Sequence, residues 1–201
     1  MRHKFSLLII PICALLFDCS SIPETHYYLL DYPIDHAVIN ENPKHNLTLG
    51  VLKFEVDPLY DQDKIVYRES LYEGKFYNYH RWISPPADII TQKIIEHIGA
   101  SNLFMKVDLF PSHAKPDFLL RGKIKAFEEW DQNNQWFSHV NIMFELIDFQ
   151  QENVVWKEHV DVKNPVAEKK PLQLVESINE TLKQCVEHAL ENIDNSLSSY
   201  N

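Results

Sequence analysis

Glycine, cysteine and long apolar runs are all scarce in this chain. The 201 residues include 4 glycines and 3 cysteines, which excludes a collagen-like repeat, a low-complexity chain and a disulfide-dense scaffold. A chain of this length can bury a core that needs neither disulfides nor a metal. No run of about 20 apolar residues follows the N-terminal segment, so a protein with several membrane-spanning helices is also excluded.

Positive charge is in short supply as well. The chain has 19 Lys and Arg against 29 Asp and Glu, a formal net charge of −10 at pH 7. A nucleic-acid binder needs clustered basic side chains that release counterions from phosphates. We therefore expect no nucleic-acid partner.

The first eighteen residues are organised like a secretory signal peptide. A basic start, Met1 to Lys4, precedes an apolar stretch from Phe5 to Phe17. As a helix this stretch would extend about 20 Å, which is shorter than the hydrocarbon core of about 30 Å. Pro11 and the basic start argue against a buried N-terminal helix. The sequence predicts a signal peptide at residues 1–18 and a mature domain at residues 19–201.

The apolar stretch ends at Cys19, which two serines follow. This arrangement is similar to the lipobox of bacterial lipoproteins, in which the cysteine is acylated, although Asp18 stands where a small residue is usual. We predict that Cys19 is the lipid attachment site, with plain secretion as the alternative. Cys13 would leave with the signal peptide, and Cys185 would then be the remaining cysteine. Without acylation, a Cys19–Cys185 disulfide is the alternative.

The rest of the chain predicts an α+β fold: one domain with a mixed, largely antiparallel sheet and two main helices packed on it. Short strands are predicted at 25–30, 47–56 and 103–110, and a hairpin at 64–70 and 75–82. Three long segments of alternating polarity, 117–130, 135–149 and 153–162, predict an antiparallel meander.

Two of these segments carry more detailed predictions. Apolar residues change parity after Val51, which indicates either a bulge there or burial of both strand faces. In the meander, Phe118, Leu120, Ile124 and Ala126 share one parity, which places them on one face of the sheet.

The helices are predicted from capping residues and spacing. Ser84 is predicted to cap a helix that runs to Ile98, with Gly99 as its stop. A second helix is predicted from about Pro171, after a polar linker at 163–170. Its apolar stripe consists of Val175, Ile178, Leu182, Cys185, Ala189 and Ile193.

The sequence shows no recognisable catalytic or metal-binding motif. The ten histidines include no pair at the i, i+4 spacing of a zinc helix, and no nucleophile elbow, P-loop or dinucleotide motif occurs. His113 with Asp117, and His159 with Asp161, are interpreted as unrelated surface side chains. The adjacent glutamates at 128 and 129 point to opposite strand faces and cannot form an acid/base pair with each other. We therefore predict no catalytic residue, no metal site and no cofactor.

Aromatic residues are concentrated between positions 60 and 82 of the sequence. This cluster consists of Tyr60, Tyr67, Tyr72, Phe76, Tyr77, Tyr79 and Trp82. About half of them are expected to fill the core, and the others are available to a partner or an amphipathic ligand. The predicted interface residues are Tyr67, Arg68, Tyr77 and Trp82.

Several stretches together resemble the ABC-type transport auxiliary lipoprotein family, the group of the paraquat-inducible protein C (PqiC) lipoproteins. They are, in order, Tyr27-Tyr28-Leu29-Leu30 after the lipobox-like cysteine, Pro58-Leu59-Tyr60-Asp61 before Ile65-Val66-Tyr67-Arg68, His80-Arg81-Trp82-Ile83-Ser84-Pro85-Pro86 at the helix start, and Pro116-Asp117-Phe118-Leu119-Leu120-Arg121-Gly122-Lys123-Ile124.

The resemblance implies a non-enzymatic envelope lipoprotein that assists lipid transport between bacterial membranes. The implied partners are a substrate-binding protein of the mammalian-cell-entry (MCE) type and ABC transporter components, with the membrane reached through the lipid anchor and a homo-oligomer left open. Ser20 after the cysteine favours the outer membrane, with the domain facing the periplasm. A free-standing structural or ligand-binding envelope lipoprotein is the alternative. An envelope enzyme would need a convergent set of titratable groups, which the sequence does not offer.

Overall fold

The computed structural model describes residues 23–34 and 42–200. The predicted signal peptide and Cys19 lie outside the described residues. Within them, one nine-stranded mixed sheet carries two helices, which confirms the predicted α+β class. The elements are β1 His26–Tyr28, β2 His45–Leu52, β3 Glu55–Val56, β4 Lys64–Arg68, β5 Lys75–Trp82, α1 Pro86–Ala100, β6 Phe104–Phe110, β7 Phe118–Gln132, β8 Gln135–Asp148, β9 Val154–Pro165 and α2 Pro171–Ser199, with a short 3₁₀ turn at Pro58–Tyr60.

The sheet is organised around β7. This strand pairs antiparallel with β8 along its whole length, and β8 pairs antiparallel with β9, so the predicted meander is confirmed. The other edge of β7 pairs in parallel with three short strands, β2, β3 and β4. The predicted hairpin forms between β4 and β5, β1 adds to β5, and β6 adds to β2.

Both helices cover one face of this sheet. Helix α2 lies across β8 and β9, while α1 contacts β6, β2 and α2. The predicted stripe of α2 is confirmed, because each of its six residues is at most 5% exposed. Burying one such Leu or Ile side chain contributes about 1.5–3 kcal/mol, so the stripe fixes the helix on the sheet. Neither helix in the described part of the chain is long and apolar enough to cross a membrane.

The predicted ends of α1 are wrong in detail. The N-cap residue is Pro85, and no side chain caps the helix. Ser84 therefore does not act as the cap. Proline fits this position because it presents no N–H that would need a partner, and Asp88 in the first turn suits the positive end of the helix dipole. The helix runs through Gly99 to Ala100, and the Ser101 hydroxyl donates a hydrogen bond to the Ile98 carbonyl, 2.7 Å away.

The parity change after Val51 reflects one extra residue between β2 and β3, as in a bulge: Val51 lies opposite Leu120 and Glu55 opposite Lys123, so four steps along this segment match three along β7. Strand β2 lies between β6 and β7 and pairs in parallel with both. Leu49, Gly50 and Val51 are all buried, as expected for a central parallel strand. The irregularity in its register with β6 lies earlier, between His45 and Thr48.

A bulge in β7 decides which of its residues face the helices. The register with β8 shifts between Ile124 and Ala126, which leaves Lys125 as the extra residue. The prediction that Ala126 shares a face with Ile124 is therefore wrong, because an inserted residue reverses the parity of everything after it. Beyond the bulge, Glu129 faces the helix side and Glu128 faces the other side.

Candidate functional site

The structure brings two of the four predicted interface residues together. The rings of Tyr67 and Tyr77 lie 5.1 Å apart, and both line one pocket of about 420 Å³. Arg68 follows Tyr67 in β4 and therefore points to the opposite face of the sheet. Trp82 is 1% exposed and packs 5.0 Å from Phe127, so the structure places Trp82 in the core rather than on a surface.

The pocket lies where β4 and β5 meet the end of β7 and the start of β8. We call it the Glu129 pocket; it is lined principally by Tyr67, Tyr77, His80, Glu129, Asp131 and Trp136. Glu69 stands at the same pocket, and the lining includes no lysine or arginine among the described residues. Lys75 pairs with Glu69 at 2.9 Å and Lys169 lies 3.9 Å from Asp131, so Glu129 is the lining carboxyl group without an ion-pair partner among the described residues.

Glu129 is buried, and few neighbouring groups stabilise its charged form. It is 1% exposed, and the Tyr77 hydroxyl donates a hydrogen bond to it at 2.7 Å. In the part of the chain that the structure describes, no Lys, Arg or His forms an ion pair with it. Burial raises the pKa of Glu129 to about 7, and the nearby charge of Asp131 adds to this increase against the effect of the Tyr77 hydrogen bond. The charge of the pocket therefore changes close to neutral pH.

Glu128 is equally buried but has three hydrogen-bonding partners on the other face of the sheet. Tyr60 donates to it at 2.7 Å, Arg68 donates through two nitrogens at 2.6 and 2.5 Å, and His139 Nδ1 lies 2.9 Å away. Burial opposes ionisation of Glu128, but these hydrogen bonds together outweigh it and hold its pKa below the usual value. Glu128 is thus a fixed anion.

The contacts of Glu128 extend across four strands, and we call this set the Glu128 network. His139 Nε2 lies 2.9 Å from Asp161, which also accepts a hydrogen bond from Asn141 at 2.8 Å. Both ring nitrogens of His139 thus face carboxylate oxygens. Arg68 also stacks 4.9 Å from the Trp130 ring. This arrangement joins β4, β7, β8 and β9 and leaves Arg68 occupied within the fold.

The two His–carboxylate pairs of the sequence do not form. Asp117 accepts hydrogen bonds from the backbone and the hydroxyl of Thr48, and His113 is exposed. His159 contacts Asn141 at 2.6 Å, while the partner of Asp161 is His139. Sequence reasoning missed the partners of Glu128 and Glu129. The available signal was a pair of adjacent acids between the aromatic residues Phe127 and Trp130.

The described residues contain neither a metal-binding cluster nor a reactive thiol. No group of three or more His, Cys, Asp and Glu side chains within residues 23–34 and 42–200 could hold a metal ion. Cys185 is fully buried beneath α2, and burial raises the pKa of its thiol to about 12. Such a thiol stays neutral at physiological pH and is unreactive.

Comparison with known proteins gives both a family and a fold. A family model described as "ABC-type transport auxiliary lipoprotein component" matches residues 28–189. None of the curated proteins that were compared matches the sequence.

Three similar solved structures, all below 25% identity, show the fold alone. A protein from Xanthomonas campestris is 16% identical with a TM-score of 0.77, covering 88% of this chain and 100% of its own. An uncharacterised protein is 14% identical with a TM-score of 0.69, covering 85% and 99%. A hypothetical protein from Chlamydia trachomatis is 6% identical with a TM-score of 0.56, covering 77% and 99%.

Proposed function

From the premise that the chain belongs to the family of ABC-type transport auxiliary lipoprotein components, we propose that it is a non-enzymatic docking component of an MCE-type ABC lipid-transport system. The family match, which extends over residues 28–189, is the observation that carries this proposal. Membership implies transporter partners. The family description does not specify the partner protein or the cargo, and we propose an MCE-type partner and a lipid cargo.

The domain is anchored through its N-terminus in this proposal. Residues 1–18 are removed, Cys19 is acylated, and Ser20 directs the lipoprotein to the outer membrane with the domain in the periplasm. One acyl chain gives only reversible binding, so stable attachment requires several chains. The complete burial of Cys185 supports acylation over a Cys19–Cys185 disulfide, because such a bridge would require α2 to lift from the sheet.

Substitution of the proposed anchor tests this part directly. Cys19→Ala should abolish metabolic palmitate labelling and release the protein from the membrane fraction. Cys13→Ala is the matched control, since Cys13 lies within the segment that is removed, and it should leave both readouts unchanged. Palmitate labelling that persists in Cys19→Ala would contradict the anchor.

The Glu129 pocket is the proposed docking surface for the transporter partner. Glu69 and Asp131 already have Lys75 and Lys169 as partners. The Glu129 carboxyl group and the neighbouring tyrosine rings suit a further basic side chain, because a cation gains from both the negative charge and the faces of the rings. Tyr79, on the rim of the pocket, is 39% exposed and accessible to a large partner. Trp82 is not available for this role, and Arg68 acts only through its pairing with Glu128.

A photo-crosslinker placed on the pocket rim tests the docking surface. We would replace Tyr79 with benzoylphenylalanine in cells that express the whole transport system. Tyr200 provides a matched control, because it is also 39% exposed but lies beside Phe118, at the opposite end of β7. Adducts with an MCE-type protein from position 79 and not from position 200 are expected. Repeated absence of any transporter component from both positions would favour the free-standing lipoprotein.

A further inference from the structure

An exposed apolar patch occupies the edge of the sheet that carries β1. The side chains of Tyr27, Leu29 and Ile83 are 60%, 64% and 56% exposed. The Ile83 N–H donates to the Tyr28 carbonyl at 2.9 Å, which continues the β1–β5 pairing and places Leu29 beside Ile83. We call these three residues the edge patch. Large contiguous apolar side chains at a sheet edge are usually covered in the functional state.

The patch continues into a groove against α1. This groove has a volume of about 340 Å³, and Leu30 and Ile89 contribute to its wall together with Leu29 and Ile83. β1 is the terminal strand of the sheet order, so the groove opens at the side of the domain. Because the wall of the groove is apolar and the sheet edge is open, a large apolar environment can contact this surface.

The position of the patch along the chain indicates what covers it. The first described residue, Pro23, follows Cys19 by four residues, which span at most about 14 Å when fully extended. A domain of this size is about 40 Å across. Because the tether is much shorter than the domain, an anchor at Cys19 holds the β1 edge close to the bilayer.

We propose that the edge patch is a membrane-contact surface that enters the bilayer interface when Cys19 is acylated. The inference rests on the proposed anchor. Tyr27 is suited to the headgroup region because its ring is apolar and its hydroxyl is polar, while Leu29 and Ile83 reach the acyl boundary. The contact fixes the orientation of the domain, so that the anchor does not leave it to rotate freely on the membrane.

Nearby charges define the type of lipid surface. Asp88 and Glu96 line the groove, with Asp31 at its side. Lys53 pairs with Asp88 at 2.5 Å, and Lys93 pairs with Asp31 and Glu96 at 2.8 and 3.1 Å. The three carboxylates outnumber the two lysines, so the rim gives anionic lipids no net attraction. The patch therefore suits a zwitterionic surface such as one rich in phosphatidylethanolamine.

The test measures which residues of the acylated protein contact lipid. Leu29→Cys, Ile83→Cys and Met105→Cys variants of the full chain would be labelled with an environment-sensitive fluorophore and reconstituted in phosphatidylethanolamine–phosphatidylcholine vesicles. Met105 is the matched control, because it is 56% exposed like Ile83 but lies on β6, the strand at the other end of the order that begins with β1. Lipids spin-labelled near the headgroup should quench positions 29 and 83 at least two-fold more than position 105.

Each other outcome has a defined meaning. Palmitate-labelled protein that shows equal quenching at all three positions, or none, overturns the patch and leaves the anchor in place. Protein without palmitate label overturns both. A blue shift at positions 29 and 83 that appears without vesicles and grows with protein concentration shows that a second copy covers the edge, which also overturns the membrane contact.

Discussion

Glu128 and Glu129 are neighbours in β7 and equally buried, yet their surroundings differ completely. Glu128 is 0% exposed and accepts hydrogen bonds from Tyr60, Arg68 and His139, whereas Glu129 is 1% exposed and accepts one from Tyr77. The pKa of Glu128 is lowered and that of Glu129 is raised to about 7. Burial alone therefore does not determine the charge of a carboxyl group; the number of donors and cations that reach it does.

The two glutamates therefore differ in role: the contacts of Glu128 stabilise the fold, whereas Glu129 is available to a partner. The Glu128 network is satisfied internally, so its groups have little left to offer a partner. The Glu129 pocket contains a buried carboxyl group that has no ion-pair partner among the described residues, next to accessible rings. Buried groups with strongly shifted pKa values are frequent at sites that act on other molecules. The comparison favours the pocket face as the surface that engages the transport system.

Removal of Arg68 should give the largest effect on stability. Arg68→Met leaves Glu128 buried without its cation, which should lower the free energy of unfolding by about 3–5 kcal/mol. The readout is urea denaturation followed by circular dichroism. Arg121→Met is the matched control, because Arg121 also pairs with a glutamate, Glu145, but its side chain is 50% exposed; a loss of about 1 kcal/mol or less is expected there.

The double variant Arg68→Met/Glu128→Gln sharpens this prediction. Removing both charges eliminates the unpaired buried anion, so the double variant should be more stable than Arg68→Met alone. A double variant that is as unstable as the single one would show that the guanidinium contributes through packing on Trp130 instead.

The pH dependence of stability should show that ionisation of Glu129 destabilises the folded protein. Below its unfolded pKa, near 4.5, both states hold the proton. Between about 4.5 and 7 the folded state retains the proton and the unfolded state has lost it, so stability falls as pH rises through this window. The difference between the two values corresponds to about 3 kcal/mol.

Glu129→Gln isolates this contribution from those of other groups. The amide does not titrate, so the stability of wild type minus that of the variant should decrease from pH 4.5 to 7 and remain constant above. Denaturant midpoints measured across this range would provide the curve. A flat difference would mean that Glu129 ionises in the folded protein at its ordinary pKa.

Local periodicity is the reason that much of the fold could be predicted. The stripe of α2 and the alternation in the meander depend on residues a few positions apart, so the helix and the three long strands follow from the sequence. The bulge at Lys125 could not be predicted in this way, because residues 126–129 are buried on both faces of the strand, which hides the reversed parity. The parity error at Ala126 follows directly from it.

The candidate site depends on contacts that are distant in sequence. Tyr77 and Glu129 are 52 positions apart, and Arg68 and Glu128 are 60 apart. They meet because β4 pairs in parallel with β7 and antiparallel with β5, which no local pattern specifies. The same strand order places Trp82 inside and Tyr67 at the pocket, although the two belong to one aromatic cluster in the sequence.

Removal of the Tyr77 hydroxyl that donates to Glu129 should have the smallest effect on stability and a distinct effect on titration. Tyr77→Phe keeps the ring but deletes the hydroxyl, which should cost about 1 kcal/mol. Because this hydrogen bond lowers the pKa of Glu129, its loss should move the titration midpoint of the Glu129 carboxyl carbon, followed by NMR, to higher pH. Tyr67→Phe is the control, since the described residues provide no hydrogen-bond partner to the Tyr67 hydroxyl. An unchanged midpoint in Tyr77→Phe would mean that burial and the charge of Asp131 alone set the protonation of the pocket.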